Sequence, residues 1–378
     1  MGRITLMIKK LKLLHTGDLH LDSPFSGLKP QAAERRRREL RETFCDMMRF
    51  AKTAAVDMVL IAGDLFDSRF ATRETLALIK EEFSALSCPI VIAPGNHDPA
   101  DGRGIWHSGI LPDNVFIFTE EKLTRFSFPE LNCDVYGYAF TSSEMTASPV
   151  AGEFIKDATR TNILLCHADM VSPVSSNAPI SKAQIEAFGA DYTALGHIHN
   201  GEAYSGSAGG YVYAYCGCPE GRDFGECGVK GAVLCEIEAD GDGVSVNVER
   251  KPFCRRKYED ITVSVDGAVT MSEVCRAASD AAILADGKTI LRLTFTGIVD
   301  PELMIDPAAI EAALPEVGDI TVRDHTTPSL SFSEDDPTVR GEFCRLLAPM
   351  LGSADPAERE KAVAALRMGL TALSGNDI

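Results

Sequence analysis

Residues 11–20 read LKLLHTGDLH and residues 58–67 read MVLIAGDLFD. Three later stretches close in the same way: IVIAPGNHD at 90–98, ILLCHAD at 163–169 and TALGHIH at 193–199. Each is a short apolar run that stops at polar residues able to bind a metal or carry a proton. From residue 11 to about 250 such runs alternate with amphipathic helical stretches, the pattern of an α/β sheet covered by helices. Ligands of open α/β sheets gather outside the carboxyl ends of the strands. The five ends therefore bring Asp18, His20, Asp64, Asn96, His167, His197 and His199 toward one site. Gly17, Gly63, Gly95 and Gly196 stand beside them, where tight turns and close backbone approach favour a residue without a side chain.

Working outward, the first strand is Leu11 to His15, and a long helix is expected over residues 31 to 55, with Leu40, Phe44, Met47, Met48 and Ala51 at helical spacing. Met58 to Ala62 and Ile90 to Ala93 read as strands, separated by a helix with Leu76, Ile79, Phe83 and Leu86 on one face. Ser181 and Gln184 make a capping box, and Gly189 is placed to end the helix they start. At KPFCRRKYED, residues 251–260, the texture becomes charged and the elements beyond carry no motif residues, so the domain boundary is placed there. Strand candidates at Ile261 to Val265, Thr289 to Phe295 and Ile320 to Asp324, with one or two helices, make a small α/β domain. From Asp336 two amphipathic helices follow: Val339, Phe343, Leu346, Leu347 and Met350 stripe the first, and Pro356, after Asp355, opens the second. The stripe is expected to pack on the chain's own small domain, with the docking of a partner as the alternative.

The 378 residues are 45% hydrophobic, enough for a sizeable core and two domains. No run approaches the roughly 18 apolar residues that span a bilayer. The opening MGRITLMIKKLKLLH, in which Met7 is as sensible a start as Met1, has no apolar signal region, which predicts a cytoplasmic protein without a membrane partner. Eleven cysteines without a secretion signal read as reduced thiols; the group Cys216, Cys218, Cys227 and Cys235 lacks the paired Cys-x-x-Cys of most structural zinc sites. A net charge of −18 excludes a broad basic surface for nucleic acid. Any such contact must be local, with bound divalent metals supplying positive charge.

The residue types at the strand ends are a mixed carboxylate, imidazole and amide set, which suits Mn²⁺, Fe²⁺ or Zn²⁺ better than Mg²⁺ or Ca²⁺. Asp18 and His20 are two apart, as are His197 and His199, so in extended backbone each pair would point one way and bracket a metal. The ordered set GDLH, GDLFD, GNHD, CHAD and GHIH resembles the calcineurin-like metallophosphoesterases over roughly residues 11 to 200. That resemblance implies a β-sandwich flanked by helices, followed by a small C-terminal α/β cap and a helical tail. With the boundary read from composition, the chain divides into a domain at 1–252, a cap at 258–335 and a tail at 336–378. The resemblance also implies two divalent ions: Asp18, His20, Asp64 and His199 on one, Asp64, Asn96, His167 and His197 on the other, with Asp64 bridging. A two-metal-activated hydroxide would attack the phosphoryl group. His97 would be the general acid, and Asp67 the carboxylate that orients it.

GDLHLDSPF at 17–25, AGDLFDSRFAT at 62–72 and YCGCPEGRDFGECGVKG at 215–231 are similar to the DNA repair exonuclease branch, SbcD/Mre11-like and nearest the bacterial YhaO-like group. In that branch a segment Tyr-x-Gly-x-Pro, Phe-x-Glu and Lys-Gly closes the catalytic domain; here it is Tyr215, Gly217, Pro219, Phe224, Glu226, Lys230 and Gly231. The branch implies a nuclease for DNA, activated by Mn²⁺, with an SMC-like or ABC-type ATPase (SbcC/Rad50-like) as partner and a homodimer as its assembly. The alternatives are a phosphodiesterase or phosphatase for a small nucleotide or other phosphoester, and a metal-binding scaffold of an ATPase complex. No substrate-binding residue is assigned. Arg35 to Arg38 would meet phosphates or form a solvated face, Trp106 and His107 would line the site or pack, and Asp22 and Asp169 would orient ligand histidines.

Overall fold

A computed structural model describes residues 9–68, 71–155, 157, 159–201, 205–208, 210–240, 243–329 and 336–373. The opening segment with Met7 lies outside them. Two compact units divide the chain, Met1–Arg255 and Arg256–Ile378.

The first unit is built on two six-stranded sheets. One contains β1 (Lys9–Thr16), β2 (Met58–Ile61), β3 (Ile90–Ile92), β4 (Val115–Ile117), β11 (Gly231–Asp240) and β12 (Gly243–Pro252), in the order β12-β11-β1-β2-β3-β4. The other contains β5 (Thr124–Phe128), β6 (Cys133–Gly137), β7 (Thr161–His167), β8 (Tyr192–Gly196), β9 (Gly206–Ala208) and β10 (Tyr211–Tyr215), in the order β5-β6-β7-β8-β10-β9. The strands β1, β2, β3 and β4 run parallel, as do β6, β7, β8 and β10. Central parallel strands are covered on both faces, which is why MVLI and IVI read as unbroken apolar runs and are wholly buried.

Alternation on β7 shows how the sheets pair. Ile163 and Leu165 face the core shared with Leu13, Val59 and Val91, while Leu164 and Cys166 face a second core with Ile185 and Phe188. Ile185 and Phe188 belong to α3 (Lys182–Phe188), which has the expected capping box and ends at Gly189 with φ +76°. Against the first sheet lie α1 (Pro30–Thr53) and α2 (Arg73–Ser84), joined by the edge contact of Phe44 with Phe83. The second sheet is the part of this sandwich least legible in sequence: β5 and β9 are short and partly exposed, with no apolar run to announce them.

The arginine run of α1 is engaged in ion pairs. Arg37 holds Glu34 at 2.7 Å and Arg38 faces Glu42 at 3.9 Å. Arg36 is buried and donates to Glu220 at 3.2 Å and to the Gly221 carbonyl at 2.7 Å, and Glu220 also accepts from Thr43 and from the Arg255 amide. Breaking a buried pair by removing one partner strands the other charge. Arg36→Ala is expected to cost about 3–5 kcal/mol, read as a drop in the urea midpoint; a loss under about 1 kcal/mol, the range of a surface pair, would contradict it.

His15 lies between the sheets, fully buried, with Nδ1 2.8 Å from the Tyr192 hydroxyl and, among the described residues, no hydrogen-bond partner for Nε2. Burial first, and the Arg250 charge second, lower its pKa to about 3. The unfolded chain, near pKa 6.5, then binds the proton more readily than the folded one. Stability from this group is complete above pH 6.5 and falls as pH drops toward about 3, at up to about 1.4 kcal/mol per pH unit. Denaturant midpoints measured across that window should fall less steeply for His15→Gln than for the natural chain; identical slopes would refute the assignment.

The second unit has a parallel sheet, β13 (Lys257–Ser264), β14 (Thr289–Val299) and β15 (Asp319–Pro328), in that order. The helices α4 (Met271–Ala281) and α5 (Pro307–Ala313) form its crossovers. All three strands run longer than the apolar cores that announced them. α6 (Val339–Leu351) and α7 (Pro356–Leu373) also belong to this unit. The apolar stripe expected on α6 is shifted: Phe343, Cys344, Leu347 and Leu351 pack with Leu366 and Leu370, whereas Val339 and Leu346 are 71% and 67% exposed. Among the described residues no helix is long and apolar enough to cross a membrane.

Candidate metal centre

The carboxyl ends of both sheets meet at one place. Asp18 and His20 follow β1, Asp64 follows β2, Asn96 and His97 follow β3, His167 ends β7, and His197 and His199 follow β8. The paired ligands are not in extended backbone as expected. Asp18, His20 and Asp64 have φ of 50°, 46° and 49°, and His197 has 100°. The side chains are turned inward by left-handed turns, a conformation costing of order 1–3 kcal/mol each, found where the surrounding structure fixes a functional geometry. Hydrogen bonds from the Asp18 amide to the Gly63 carbonyl and from the His20 amide to the Asp64 carbonyl, at 3.0 and 2.9 Å, hold these turns.

Gly196 sets how closely the two sheets approach, and Gly95 how closely two ligand loops of the first sheet do. A Cβ on Gly196 would lie 1.9 Å from the Ala62 carbonyl oxygen, and one on Gly95 would lie 2.2 Å from Asp64 Oδ1. No side chain fits at either position.

Lone pairs converge on the centre. His167 Nδ1 donates to the Ala62 carbonyl at 2.9 Å, so in the neutral ring Nε2 carries a lone pair. That nitrogen faces Asn96 Oδ1 at 2.9 Å and Asp64 Oδ2 at 3.4 Å. Opposite, His199 Nδ1 donates to Glu226 Oε1 at 2.5 Å, and its Nε2 faces His20 Nε2 at 3.2 Å. Asp64 Oδ2 also lies 3.6 Å from His20 Nε2, so one carboxylate oxygen stands between the two groups. Its other oxygen accepts from the His97 amide at 2.9 Å. Acceptors pointed at each other over such distances repel unless cations lie among them, so the donor set fits divalent metals. Asp18 with His20 and His199, and Asp18 with Asp64 and His167, form two clusters close enough to share an ion each. Asp18 also accepts from the His197 amide at 3.0 Å.

The charges fit the same arrangement. Burial, then the neighbouring His167, lowers the His197 pKa to about 4, and burial takes His20 well below its usual range, so both rings are neutral ligands at neutral pH. Glu226 resists burial because His199 and Arg222 bond to it, and its pKa lies well below the carboxylate range.

The surrounding residues divide. Asp169 Oδ2 lies 3.9 Å from His197 Nε2, while its Oδ1 accepts from the Val171 amide at 2.7 Å. Asp22 does not orient a ligand: its carboxylate accepts from the Thr72 amide at 2.7 Å and the Thr75 hydroxyl at 2.7 Å, tying the loop to the start of α2. Trp106 is buried against Phe66 and donates to the Asp98 carbonyl, a packing role. Asp67 reaches His97 Nδ1 through its backbone carbonyl at 3.2 Å. Its carboxylate is 3.2 Å from His20 Nδ1 and 3.0 Å from Arg222 Nη1. Two participants were not assigned from sequence. Arg222 lacked any motif, although its spacing of four from Glu226 in GRDFGE was a signal. Asp98, wholly buried, accepts from the Gly95 and Phe66 amides at 2.8 and 3.2 Å and so joins two ligand loops. All eleven cysteines are free, and the group Cys216, Cys218, Cys227 and Cys235 forms no shared cluster among the described residues.

The profile of the calcineurin-like phosphoesterases matches residues 11–201. The chain belongs to this family. Calcineurin-like phosphoesterases bind two divalent metals, and the centre described above supplies residues for them. The metallophosphoesterase YhaO of Bacillus subtilis is 28% identical over 287 residues, 72% of this chain and 68% of its own length. Among solved structures, a dimetal phosphatase from Danio rerio is 12% identical with a TM-score of 0.39, covering 64% of this chain and 99% of that one. Vacuolar protein sorting 29 from Cryptosporidium parvum is 14% identical with a TM-score of 0.32, covering 64% and 98%. This calcineurin-like protein is thus a metallophosphoesterase, a hydrolase of phosphoesters.

Proposed function

We propose that this phosphoesterase is a DNA nuclease of the SbcD/Mre11-like kind, cleaving phosphodiester bonds with Mn²⁺ and working with an SMC-like or ABC-type ATPase. The observation that carries the reading is the segment 215–231. It matches that branch at Tyr215, Gly217, Pro219, Phe224, Glu226, Lys230 and Gly231, and its Glu226 holds ligand His199.

Asp18, His20, Asp64 and His199 would hold one ion and Asp64, Asn96, His167 and His197 the other. Two bound ions supply an activated water and neutralise the phosphoryl oxygens. The chain's own work is positioning and proton transfer. With Nδ1 directed at the Asp67 carbonyl, the exposed His97 ring presents Nε2 as the atom that protonates the leaving oxygen.

A second reading has its own support. The open cleft of about 560 Å³ beside His197 and His199 is lined by Asp169, Asp223 and Glu226 and, among the described residues, by no lysine or arginine. Such a wall favours a small phosphodiester over a polyanion, unless a partner supplies the cationic surface. Incubating the protein with Mn²⁺ and end-labelled linear DNA, in parallel with bis(p-nitrophenyl) phosphate, tests both. DNA cleavage that His97→Gln abolishes supports the nuclease; turnover of the small diester with DNA left intact, with and without the ATPase, would overturn it.

A further inference from the structure

Behind one half of the centre lies a closed ring of contacts. Arg222 Nη1 donates to Asp67 Oδ1 at 3.0 Å, and that same oxygen lies 3.2 Å from His20 Nδ1. Arg222 Nη2 donates to Glu226 Oε1 at 3.2 Å, and that same oxygen takes the proton of His199 Nδ1 at 2.5 Å. The circuit closes where His20 Nε2 and His199 Nε2 face each other at 3.2 Å. The guanidinium is held in turn, because the Arg222 amide donates to Glu226 Oε2 at 2.7 Å. Among the described residues the other half of the centre has no such ring: His167 is oriented by a backbone carbonyl, Ala62, and His197 faces Asp169 at 3.9 Å.

We infer that Arg222 is a positioning residue for one of the two metal ions, the one shared by His20 and His199, and not for the other. The inference rests on the two-ion reading of the centre. A rigid fork with several donors spans two carboxylates at once and fixes both, which a point charge on a flexible stem does not. Glu226 takes the His199 Nδ1 proton and so fixes that ring's tautomer, and Asp67 stands 3.2 Å from His20 Nδ1 and holds that ring by charge; such outer partners are worth about 10–100-fold in metal affinity. Without the fork, Asp67 and Glu226 face each other as partly buried like charges and turn apart, taking His20 and His199 with them. The guanidinium also repels a cation, so removing it changes charge and geometry together. Arg222→Lys keeps the charge and loses the fork, and so isolates positioning.

The metal-free protein is titrated with Mn²⁺ by calorimetry, and the electron paramagnetic resonance of the bound ions is recorded for the natural chain, Arg222→Lys and Arg222→Gln. In the natural chain two ions bind and give a spin-coupled signal. In Arg222→Lys one binding step weakens by about 10-fold or more while the other is unchanged, and at intermediate Mn²⁺ the signal becomes that of a single uncoupled ion. Asp169→Asn should spare the step that Arg222→Lys weakens. Circular dichroism identifies a variant that has unfolded, and if Arg222→Gln unfolds, the lysine variant decides the matter. Two ions bound by Arg222→Lys with unaltered affinities, or an equal loss of both, overturns the inference. Failure of the natural chain to bind any Mn²⁺ would instead overturn the two-ion reading.

Discussion

Asp64→Asn is expected to lower hydrolysis of a small phosphodiester by about 10³-fold or more and to leave fewer than two ions per chain. Asp64 Oδ2 faces both halves of the centre at once, 3.6 Å from His20 Nε2 and 3.4 Å from His167 Nε2. The other carboxylate oxygen is committed to the His97 amide at 2.9 Å. An asparagine would keep its amide oxygen on that N–H, because a nitrogen there would set donor against donor. The NH₂ group then points into the centre, where it has no lone pair to offer. A bound metal contributes several kcal/mol of transition-state stabilisation, and each 1.36 kcal/mol is tenfold in rate; losing the shared ligand therefore predicts the thousandfold drop. Metal content by inductively coupled plasma mass spectrometry and kcat/KM on bis(p-nitrophenyl) phosphate check it. A variant that keeps two ions and near-natural activity would remove Asp64 from its bridging role.

His97→Gln should behave differently, with metal content intact and kcat reduced by roughly 10²–10⁴-fold. The hydrogen bond of His97 to Asp64 runs through its backbone amide, which glutamine preserves. The imidazole packs edge to face on His20 with ring centroids 4.7 Å apart, which places it beside the centre and open to solvent. A proton donor matters in proportion to how poor the leaving group is. The loss should therefore be large for an alkoxide leaving group, as in DNA or a methyl ester, and small for p-nitrophenolate. Equal losses on both substrates would mean that His97 orients the centre and donates no proton.

Residues 11–201 disclosed the family and the chemistry because local rules sufficed there. Buried parallel strands must be apolar throughout, so MVLI and IVI stand out, and the polar residues at their ends stand out against them. The seven candidate metal positions needed no knowledge of which strand pairs with which. The residues that support them did. Arg222 and Glu226 lie 155 and 27 positions from the groups they hold, Asp67 and His199, and Arg36 lies 184 from Glu220. Nothing in a local window says that a charged helix face will be buried against a distant acid, or that Asp22 will brace a helix and leave the metal centre alone.

The sequence by itself determined an α/β fold with a constellation of carboxylates, histidines and an asparagine at its strand ends, since burial and period are written residue by residue. Tertiary structure alone decided the rest. It converted the expected extended pairs into left-handed turns, because the ligands lie beyond the strands and must turn back into the seam between the sheets. It shifted the packed face of α6 onto α7, where Phe343, Cys344, Leu347 and Leu351 meet Leu366 and Leu370. It also gave the two halves of the centre unequal support, since only folding brings residue 222 between residues 67 and 226.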